Sequence, residues 1–232
     1  MNTTPDTRLL RHGFFEPTAD QWNFMRYWQA ELEKLPTEQI LRWSVETFHP
    51  KLALVTSCGV GGSVLISMVG RMKLDVPVIN ADSGDRFGET KRLHERLEEK
   101  FEIRIITDSP TLGLPEQSFC CCGGKKLIGL RQKAKQYDAW ISESRRDHSS
   151  DTVRQAIIDW DERFGLFRIA PLSRWTKQSI RNKAIRESIP FDEYSDQDYF
   201  DDDCHACLFS GKSGTTDAEN KSCSTHCRCS SQ

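Results

Sequence analysis

Four cysteines in two pairs carry the strongest chemical signal in this chain. Cys121 and Cys122 are adjacent, and Cys204 and Cys207 follow about eighty residues later with two residues between them. Four thiolates can share one soft metal centre if the fold brings the pairs together, and such a centre is most often zinc or an iron–sulfur cluster. Adjacent cysteines are awkward for zinc, but the residues alone leave both centres open.

A second group of thiols stands near the end of the chain. Cys223, Cys227 and Cys229 follow residues 210–222, which are rich in Ser, Gly, Thr and Lys. That composition predicts a flexible segment, on which a thiol could visit a pocket and then reach a partner. The same cysteines with His226 also resemble a small zinc-binding tract, which would suit a non-catalytic redox or metal-sensing protein.

A glycine-rich turn between a strand and a helix is the first candidate for anion binding. In the run from Ser57 through Gly59 to Ser63, small residues would let backbone amides face an anion at the helix N-terminus. The turn lacks the lysine of a nucleotide P-loop and is not a dinucleotide fingerprint. A purely structural glycine-rich connection is the competing interpretation.

Polar and basic residues follow two other predicted strands. Asp82 comes after the second strand and could bind a ribose or a base, or simply cap a helix. Arg145 and Arg146 follow the fourth strand and could hold phosphate or sulfate bidentately, although adjacent charges are more often a solvated surface run. Lys125 and Lys126, just after the first cysteine pair, could add positive charge.

The elements that would position these residues alternate along the chain. Short apolar runs predict strands, and longer periodic stretches predict helices. The strands are expected at 52–55, 76–79, 103–106, 139–141 and 167–169, and the helices at 20–48 with a break at Pro36, 64–72, 89–101, 125–137 and 175–188. This order predicts an α/β fold, with a mostly parallel twisted sheet, helices on both faces and ligands at the carboxyl ends of the strands.

The division of the chain follows from the same patterns. We expect an N-terminal helical segment at 1–50, a single α/β domain at 51–208 that carries the nucleotide and metal sites, and a flexible tail at 209–232 with the reactive cysteine. A length of 232 residues allows one sizeable core.

Composition narrows the class of protein. A formal net charge of −2 gives no global attraction to nucleic acid or anionic lipid, and no apolar run approaches a membrane span. Nine cysteines without a recognisable secretory pattern point to a reducing compartment, so we expect a cytoplasmic protein in which thiols serve metal or redox chemistry. A homo-oligomer is compatible with the sequence, which does not specify an oligomeric state.

The order and spacing of the motifs resemble the assimilatory adenylylsulfate and phosphoadenylylsulfate reductases over roughly residues 28 to 227. Each motif is modest, and their order makes the resemblance specific. The motifs are the turn 57–63, Asp82–Thr90, Cys121–Lys126, Arg145–Ser149, Ala170–Trp175, Ile189–Phe191, Cys204–Cys207 and Lys221–His226. The resemblance implies an adenine nucleotide alpha-hydrolase-like fold.

The resemblance also implies a cofactor and a nucleophile. Family members with both cysteine pairs carry a [4Fe–4S] cluster and typically reduce adenosine 5′-phosphosulfate (APS), whereas members without them use the 3′-phosphorylated form, PAPS. Cys121, Cys122, Cys204 and Cys207 would then ligate the cluster. Cys223 stands at the position of the family's nucleophile.

The reaction implied by the resemblance belongs to sulfate assimilation. The Cys223 thiolate would attack the sulfur of APS, AMP would leave, and thioredoxin or glutaredoxin would release sulfite from the resulting thiosulfonate. The turn 57–63 and Asp82 would hold the nucleotide. Lys125, Lys126, Arg145 and Arg146 would hold the phosphosulfate.

Besides the non-catalytic redox or metal-sensing protein, two alternatives remain from the sequence. One is PAPS as the substrate. The other is an iron–sulfur protein on the same scaffold that activates or transfers sulfur, for example in nucleic-acid modification. ATP-cleaving relatives carry Asp immediately before the last Ser of this turn; Gly62 precedes Ser63 here, which disfavours ATP pyrophosphatase chemistry.

Overall fold

The computed structural model describes residues 15–56, 58–80, 87–107, 130, 132–148 and 156–191. Within these residues the α-helices are α1 (Ala19–Leu32), α2 (Thr37–Phe48), α3 (Val60–Arg71), α4 (Phe87–Phe101) and α5 (Lys177–Arg186). The strands are β1 (Leu52–Thr56), β2 (Val78–Asn80), β3 (Ile105–Ile106), β4 (Ala139–Ile141), β5 (Ile158–Asp161) and β6 (Leu166–Ile169). A 3₁₀ turn covers Arg146–His148, and residues 132–134 are helical.

The six described strands form one sheet in the order β3-β2-β1-β4-β6-β5. All neighbouring pairs are parallel except β5 and β6, which are antiparallel. The chain builds outward from β1 to β2 and β3, and then returns to place β4 on the other side of β1. The boundary between β1 and β4 is therefore the switch point of the sheet, where open α/β folds bind their ligands.

Local sequence signals set the helix boundaries. Thr18 caps α1: its hydroxyl accepts from the Gln21 amide at 3.3 Å, and the Gln21 side chain accepts from the Thr18 amide at 2.8 Å. Thr176 and Ser179 form the same reciprocal cap at the start of α5. Pro36 separates α1 from α2, because proline is tolerated before a helix but not within one.

Apolar side chains cover both faces of the sheet. Leu52 and Leu54 of β1 lie in a large buried cluster shared with α1 to α5, whereas Val55 and Trp140 pack in a smaller cluster with Ala134. This alternation is the period of two that a strand imposes on its side chains. Aromatic rings of Phe24, Trp28, Trp43, Phe48 and Phe167 join α1 and α2 to the larger cluster.

The predicted α/β architecture is confirmed, with local differences. Helix α3 begins at Val60, four residues before the predicted start at 64, so Gly61–Ser63 belong to the first turn of the helix and not to the preceding loop. Strands at 52–55, 139–141 and 167–169 are found within a residue or so of their predicted bounds, but the strands predicted at 76–79 and 103–106 shorten to Val78–Asn80 and Ile105–Ile106. Strand β5 was not predicted. The helix predicted at 125–137 lies partly outside the described residues, and the predicted tail lies wholly outside them. No described helix is long and apolar enough to cross a membrane.

Candidate functional site

The switch point brings two loops together at one edge of the sheet. Parallel pairing aligns Leu54 of β1 with Ile141 of β4, so that both strands end at the same edge. The turn into α3 follows β1, and residues 142–148 follow β4. The described part of the predicted site is built from these two loops.

The turn into α3 is held in an unusual backbone conformation. Cys58 has φ of 60°, a left-handed conformation that costs a non-glycine residue of order 1 kcal/mol or more. Its amide donates to Thr56 Oγ1 at 2.9 Å, and its carbonyl accepts from Ser63 Oγ at 3.4 Å. Gly59 is the N-cap residue of α3, and its carbonyl accepts the first helical bond from the Ser63 amide at 2.8 Å. These bonds fix the direction of the first α3 amides.

A carboxylate from the neighbouring strand contacts these amides. Glu143 Oε2 accepts from the Gly62 amide at 2.5 Å, and Glu143 Oε1 accepts from Thr56 Oγ1 at 3.2 Å. Unpaired amides and the positive end of the helix dipole favour an anion at this position. Close packing requires glycine here, since a Cβ at Gly62 would lie 1.7 Å from Thr56 Oγ1. The α3 N-terminus is therefore a tightly fitted anion-binding position that already holds a carboxylate.

Arg145 is fixed by a carboxylate that also contacts α5. Its Nε donates to Asp147 Oδ1 at 2.8 Å, and Asp147 Oδ2 accepts from the Lys177 amide in the first turn of α5 at 2.7 Å. Burial raises the pKa of the Asp147 carboxyl, but the hydrogen bonds from Arg145 and the Lys177 amide outweigh it and leave that pKa below its ordinary value. The Asp147 bond uses one of the five N–H donors of Arg145.

Arg146 contacts a different helix, α1. Its guanidinium donates to both carboxylate oxygens of Glu33, at the C-terminal end of α1, with Nη1 lying 3.4 Å from Oε2. Its backbone amide donates to the Ser173 carbonyl at 2.9 Å. The two arginines are thus held by different carboxylates: Arg145 by Asp147, which also contacts α5, and Arg146 by Glu33 at the end of α1.

Four of the predicted site residues lie within the described residues, and all four lie at this edge. They are Gly59, Ser63, Arg145 and Arg146. Ser63 is fully buried and supports the turn through Cys58. The remaining predicted residues lie outside the described residues: Ser57, Asp82, Lys125, Lys126, Cys121, Cys122, Cys204, Cys207 and Cys223.

Among the described residues, Cys58 is the one cysteine, and it is a small buried residue of the main core with 1% exposure. Among the described residues there is no group of three or more His, Cys, Asp or Glu side chains arranged to bind a metal ion.

Sequence reasoning missed the acids of this edge. Glu33, Glu143 and Asp147 each contact a predicted anion-binding group, yet none was singled out. A signal existed for Glu143, which follows β4 by two residues and so must lie near the end of β1. No local signal pairs Glu33 with Arg146, because 113 residues separate them.

The open, mostly parallel sheet with its switch point between β1 and β4 defines an α/β fold of the class that binds ligands at that edge. A domain model described as phosphoadenosine phosphosulfate reductase domain matches residues 51–204, which is more than half of the chain. The chain belongs to this family of reductases and is an enzyme, an oxidoreductase.

Individual relatives agree with this assignment. An adenosine 5′-phosphosulfate reductase of Halalkalibacterium halodurans is 31% identical over 196 residues, which cover 79% of this chain and 85% of the relative. Adenosine 5′-phosphosulfate reductase 2 of Bacillus subtilis is 28% identical over 205 residues, covering 82% and 86%. The crystal structure of a phosphoadenylyl-sulfate reductase from Candida auris has the same fold, with a TM-score of 0.62 at 19% identity, over 79% of this chain and 94% of that one.

These relatives disfavour two of the interpretations left open by the sequence. A non-catalytic metal sensor and a sulfur-transfer enzyme acting on nucleic acid both lack support from them, because the matched relatives are named adenosine 5′-phosphosulfate reductases.

Proposed function

We propose that this enzyme reduces adenosine 5′-phosphosulfate to sulfite and AMP, using a thiol donor of the thioredoxin or glutaredoxin type. The observation that carries the proposal is the meeting, at one switch point, of the glycine-rich α3 turn and the Arg145–Arg146 turn in a chain of this family. We propose APS as the substrate instead of PAPS, because the matched relatives at 31% and 28% identity are named adenosine 5′-phosphosulfate reductases.

The proposed chemistry begins with Cys223. Its thiolate attacks the sulfur of the phosphosulfate, an S–S bond forms, the S–O bond to phosphate breaks, and AMP leaves with the electron pair. A donor thiolate then attacks the Cys223 sulfur, sulfite leaves, and a mixed disulfide remains. The second thiol of the donor resolves that disulfide. The donor dithiol is oxidised to a disulfide, and its two electrons account for the reduction of sulfate-level sulfur to sulfite.

The proposed binding residues fall into two groups, one for the nucleotide and one for the phosphosulfate. Ser57, Gly59 and Asp82 are proposed to hold the nucleotide, and Ser63 contributes by supporting the turn from beneath. Lys125, Lys126, Arg145 and Arg146 are proposed to bind the phosphosulfate, whose leaving phosphate gains charge in the transition state. The contacts of Arg145 with Asp147 and of Arg146 with Glu33 support this role, because they hold both side chains in fixed positions before substrate arrives.

The proposed cofactor is a [4Fe–4S] cluster held by Cys121, Cys122, Cys204 and Cys207. Support comes from the chemistry of the donor set, since four thiolates suit a cubane and adjacent cysteines suit tetrahedral zinc poorly. Bound there, the cluster would contribute electrostatic stabilisation and local architecture. The thiol donor supplies both electrons, so the proposed reaction needs no electron from the cluster.

The activity is tested by sulfite release from APS with reduced thioredoxin. We expect turnover by the wild type and its loss in Cys223→Ser, because serine cannot form the thiosulfonate. Cys227→Ser is the matched control, since it removes a neighbouring tail cysteine that has no assigned role. Turnover that survives in Cys223→Ser would refute the nucleophile, and absence of sulfite from the wild type with APS and PAPS alike would refute the reaction.

The cofactor is tested on anaerobically purified protein by metal and acid-labile sulfide analysis. We expect about four irons and about four sulfides per chain, with a broad visible absorption band that Cys204→Ser removes. Stoichiometric zinc without iron would overturn the cluster.

A further inference from the structure

The carboxylate of Glu143 lies where a phosphate oxygen would otherwise bind. Its Oε2 is 2.5 Å from the Gly62 amide nitrogen, and its Oε1 is 3.2 Å from the Thr56 hydroxyl. An amide at the start of a helix and a neighbouring hydroxyl are the kinds of donors that bind a phosphate group. We infer that Glu143 is a specificity-determining residue, which closes the α3 N-terminus to the terminal phosphates of a nucleoside triphosphate or to pyrophosphate. The inference deepens the proposed function and, for the identity of the nucleotide, rests on it.

Glu143 occupies the space beside the first turn of α3. A Cβ built on Gly61 would meet Glu143 Oε2 at 3.2 Å, and one built on Gly62 would meet it at 3.1 Å. The carboxylate therefore lies in close contact with the first turn of α3. A phosphate oxygen that hydrogen-bonds the Gly62 amide would need the position that Glu143 Oε2 holds. Phosphate and carboxylate cannot share that donor.

The sheet holds Glu143 in this position. It follows β4 by two residues, and β4 is hydrogen-bonded to β1, the strand that leads into α3. A sheet strand anchors the backbone on each side of the contact. Glu143 is therefore held against the α3 amides by the fold.

The negative charge of Glu143 also disfavours highly charged ligands. The β- and γ-phosphates of ATP carry about three negative charges near neutral pH, whereas the sulfuryl group of APS carries one. A fixed carboxylate repels the triphosphate more strongly than the phosphosulfate, because like charges at short range disfavour each other and do so more when partly removed from water. Glu143 would thus select a phosphosulfate by excluding the more highly charged nucleotide, which is discrimination by repulsion.

The experiment measures binding of inorganic pyrophosphate, ATP and AMP by isothermal titration calorimetry. The proteins are the wild type, Glu143→Gln, Glu143→Ala and the control Glu38→Gln. Glu38 is a matched control because it is an exposed carboxylate in the first turn of another helix, α2. Far-ultraviolet circular dichroism and thermal unfolding verify that each variant is folded; Glu143→Gln keeps the side-chain shape if the alanine variant is unstable.

We expect the affinities for pyrophosphate and ATP to rise at least tenfold in Glu143→Ala. They should rise less in Glu143→Gln, because the amide oxygen can still accept from Gly62 while the charge is gone. The affinity for AMP should change less than threefold, and Glu38→Gln should match the wild type. Pyrophosphate and ATP affinities within twofold of the wild type in both Glu143 variants would overturn the inference.

The outcomes for the two proposals can be separated. Pyrophosphate binding tests Glu143 without any nucleoside, so a tenfold gain supports the inference even if APS is not reduced. Conversely, reduction of APS by the wild type together with unchanged pyrophosphate binding in both variants would support the proposed function and overturn the role of Glu143.

Discussion

Substitution of Gly62 by alanine should destabilise the protein, although the same change inside most helices is stabilising. Alanine is favoured over glycine in a helix by about 1 kcal/mol. Here the added Cβ would lie 1.7 Å from Thr56 Oγ1 and 2.9 Å from Thr56 Cβ, so the Thr56 side chain must move. Overpacking of this kind costs about 1–3 kcal/mol.

Movement of Thr56 also breaks hydrogen bonds. Its hydroxyl accepts from the Cys58 amide at 2.9 Å and donates to Glu143 at 3.2 Å, and each lost bond costs about 1 kcal/mol. Overpacking of about 2 kcal/mol and about 2 kcal/mol of lost hydrogen bonds, offset by about 1 kcal/mol of helix propensity, give a net loss of about 3 kcal/mol. For a chain of this size that corresponds to a fall in Tm of about 6–12 °C.

The measurement is urea unfolding followed by circular dichroism, with Gly61→Ala as the matched control. A Cβ at Gly61 would meet Glu143 Oε2 at 3.2 Å and Glu143 Cβ at 3.3 Å, contacts that are tight but far less severe than the 1.7 Å clash at Gly62. The net loss should therefore stay below about 1 kcal/mol. Thr56→Ala removes the clashing hydroxyl and should therefore cost less in the Gly62→Ala background than in the wild type. The reasoning is refuted if Gly62→Ala is as stable as Gly61→Ala, or if the Thr56 and Gly62 substitutions are additive.

Three further substitutions test the surroundings of the site. Asp147→Asn should cost less than about 1 kcal/mol, because the carboxylate is 34% exposed and solvent screens its contact with Arg145. Because the pKa of Asp147 is lowered in the folded protein, the stability that its carboxylate contributes should be fully present above the ordinary pKa of 3.8 and should disappear as the pH falls through the folded pKa. A difference in unfolding free energy between the wild type and Asp147→Asn that is unchanged at pH 2 would contradict this. Arg174→Ala should cost about 1–3 kcal/mol and speed amide hydrogen exchange at residues 33–35, because the guanidinium donates to the Glu33 carbonyl at 2.5 Å and to the Leu35 carbonyl. Exchange as slow as in the wild type would count against this prediction. Gln29→Ala should cost about 2–4 kcal/mol in urea unfolding, because Gln29 Oε1 accepts hydrogen bonds from the Ile157 and Ile158 amides at 2.8 and 3.1 Å. The control Gln39→Ala, at an exposed position, should change stability little. Equal effects of the two substitutions would disprove the role of Gln29.

Patterns that depend on local chemistry were predicted well. Strands β1 and β4 are short apolar runs because sheet neighbours and packed side chains bury them, and such runs are visible in sequence. Strand β5 was missed because Ile158-Asp-Trp-Asp161 alternates acids with apolar residues at the antiparallel edge of the sheet. A four-residue segment of that kind also resembles a loop.

In the candidate site too, residues with local sequence signals were predicted, whereas residues whose partners depend on the fold were not. Glycines before a helix and paired arginines after a strand are local signals, and they correctly indicated the edge where β1 and β4 end. The acids that engage them depend on which elements become neighbours. Glu143 reaches Gly62 across 81 residues, and its place just after β4 indicated only that it lies near the end of β1. Glu33 reaches Arg146 across 113 residues, and no local signal pairs them.

The ion pair between Glu33 and Arg146 makes the arginine turn sensitive to a part of the chain that the matched domain does not include. Glu33 precedes residue 51, where the domain match begins. A single change at the end of α1 would remove the Glu33 carboxylate from Arg146 while leaving every residue of that domain intact. Differences in catalytic rate between homologues with identical reaction centres would therefore be sought among their upstream helices as well.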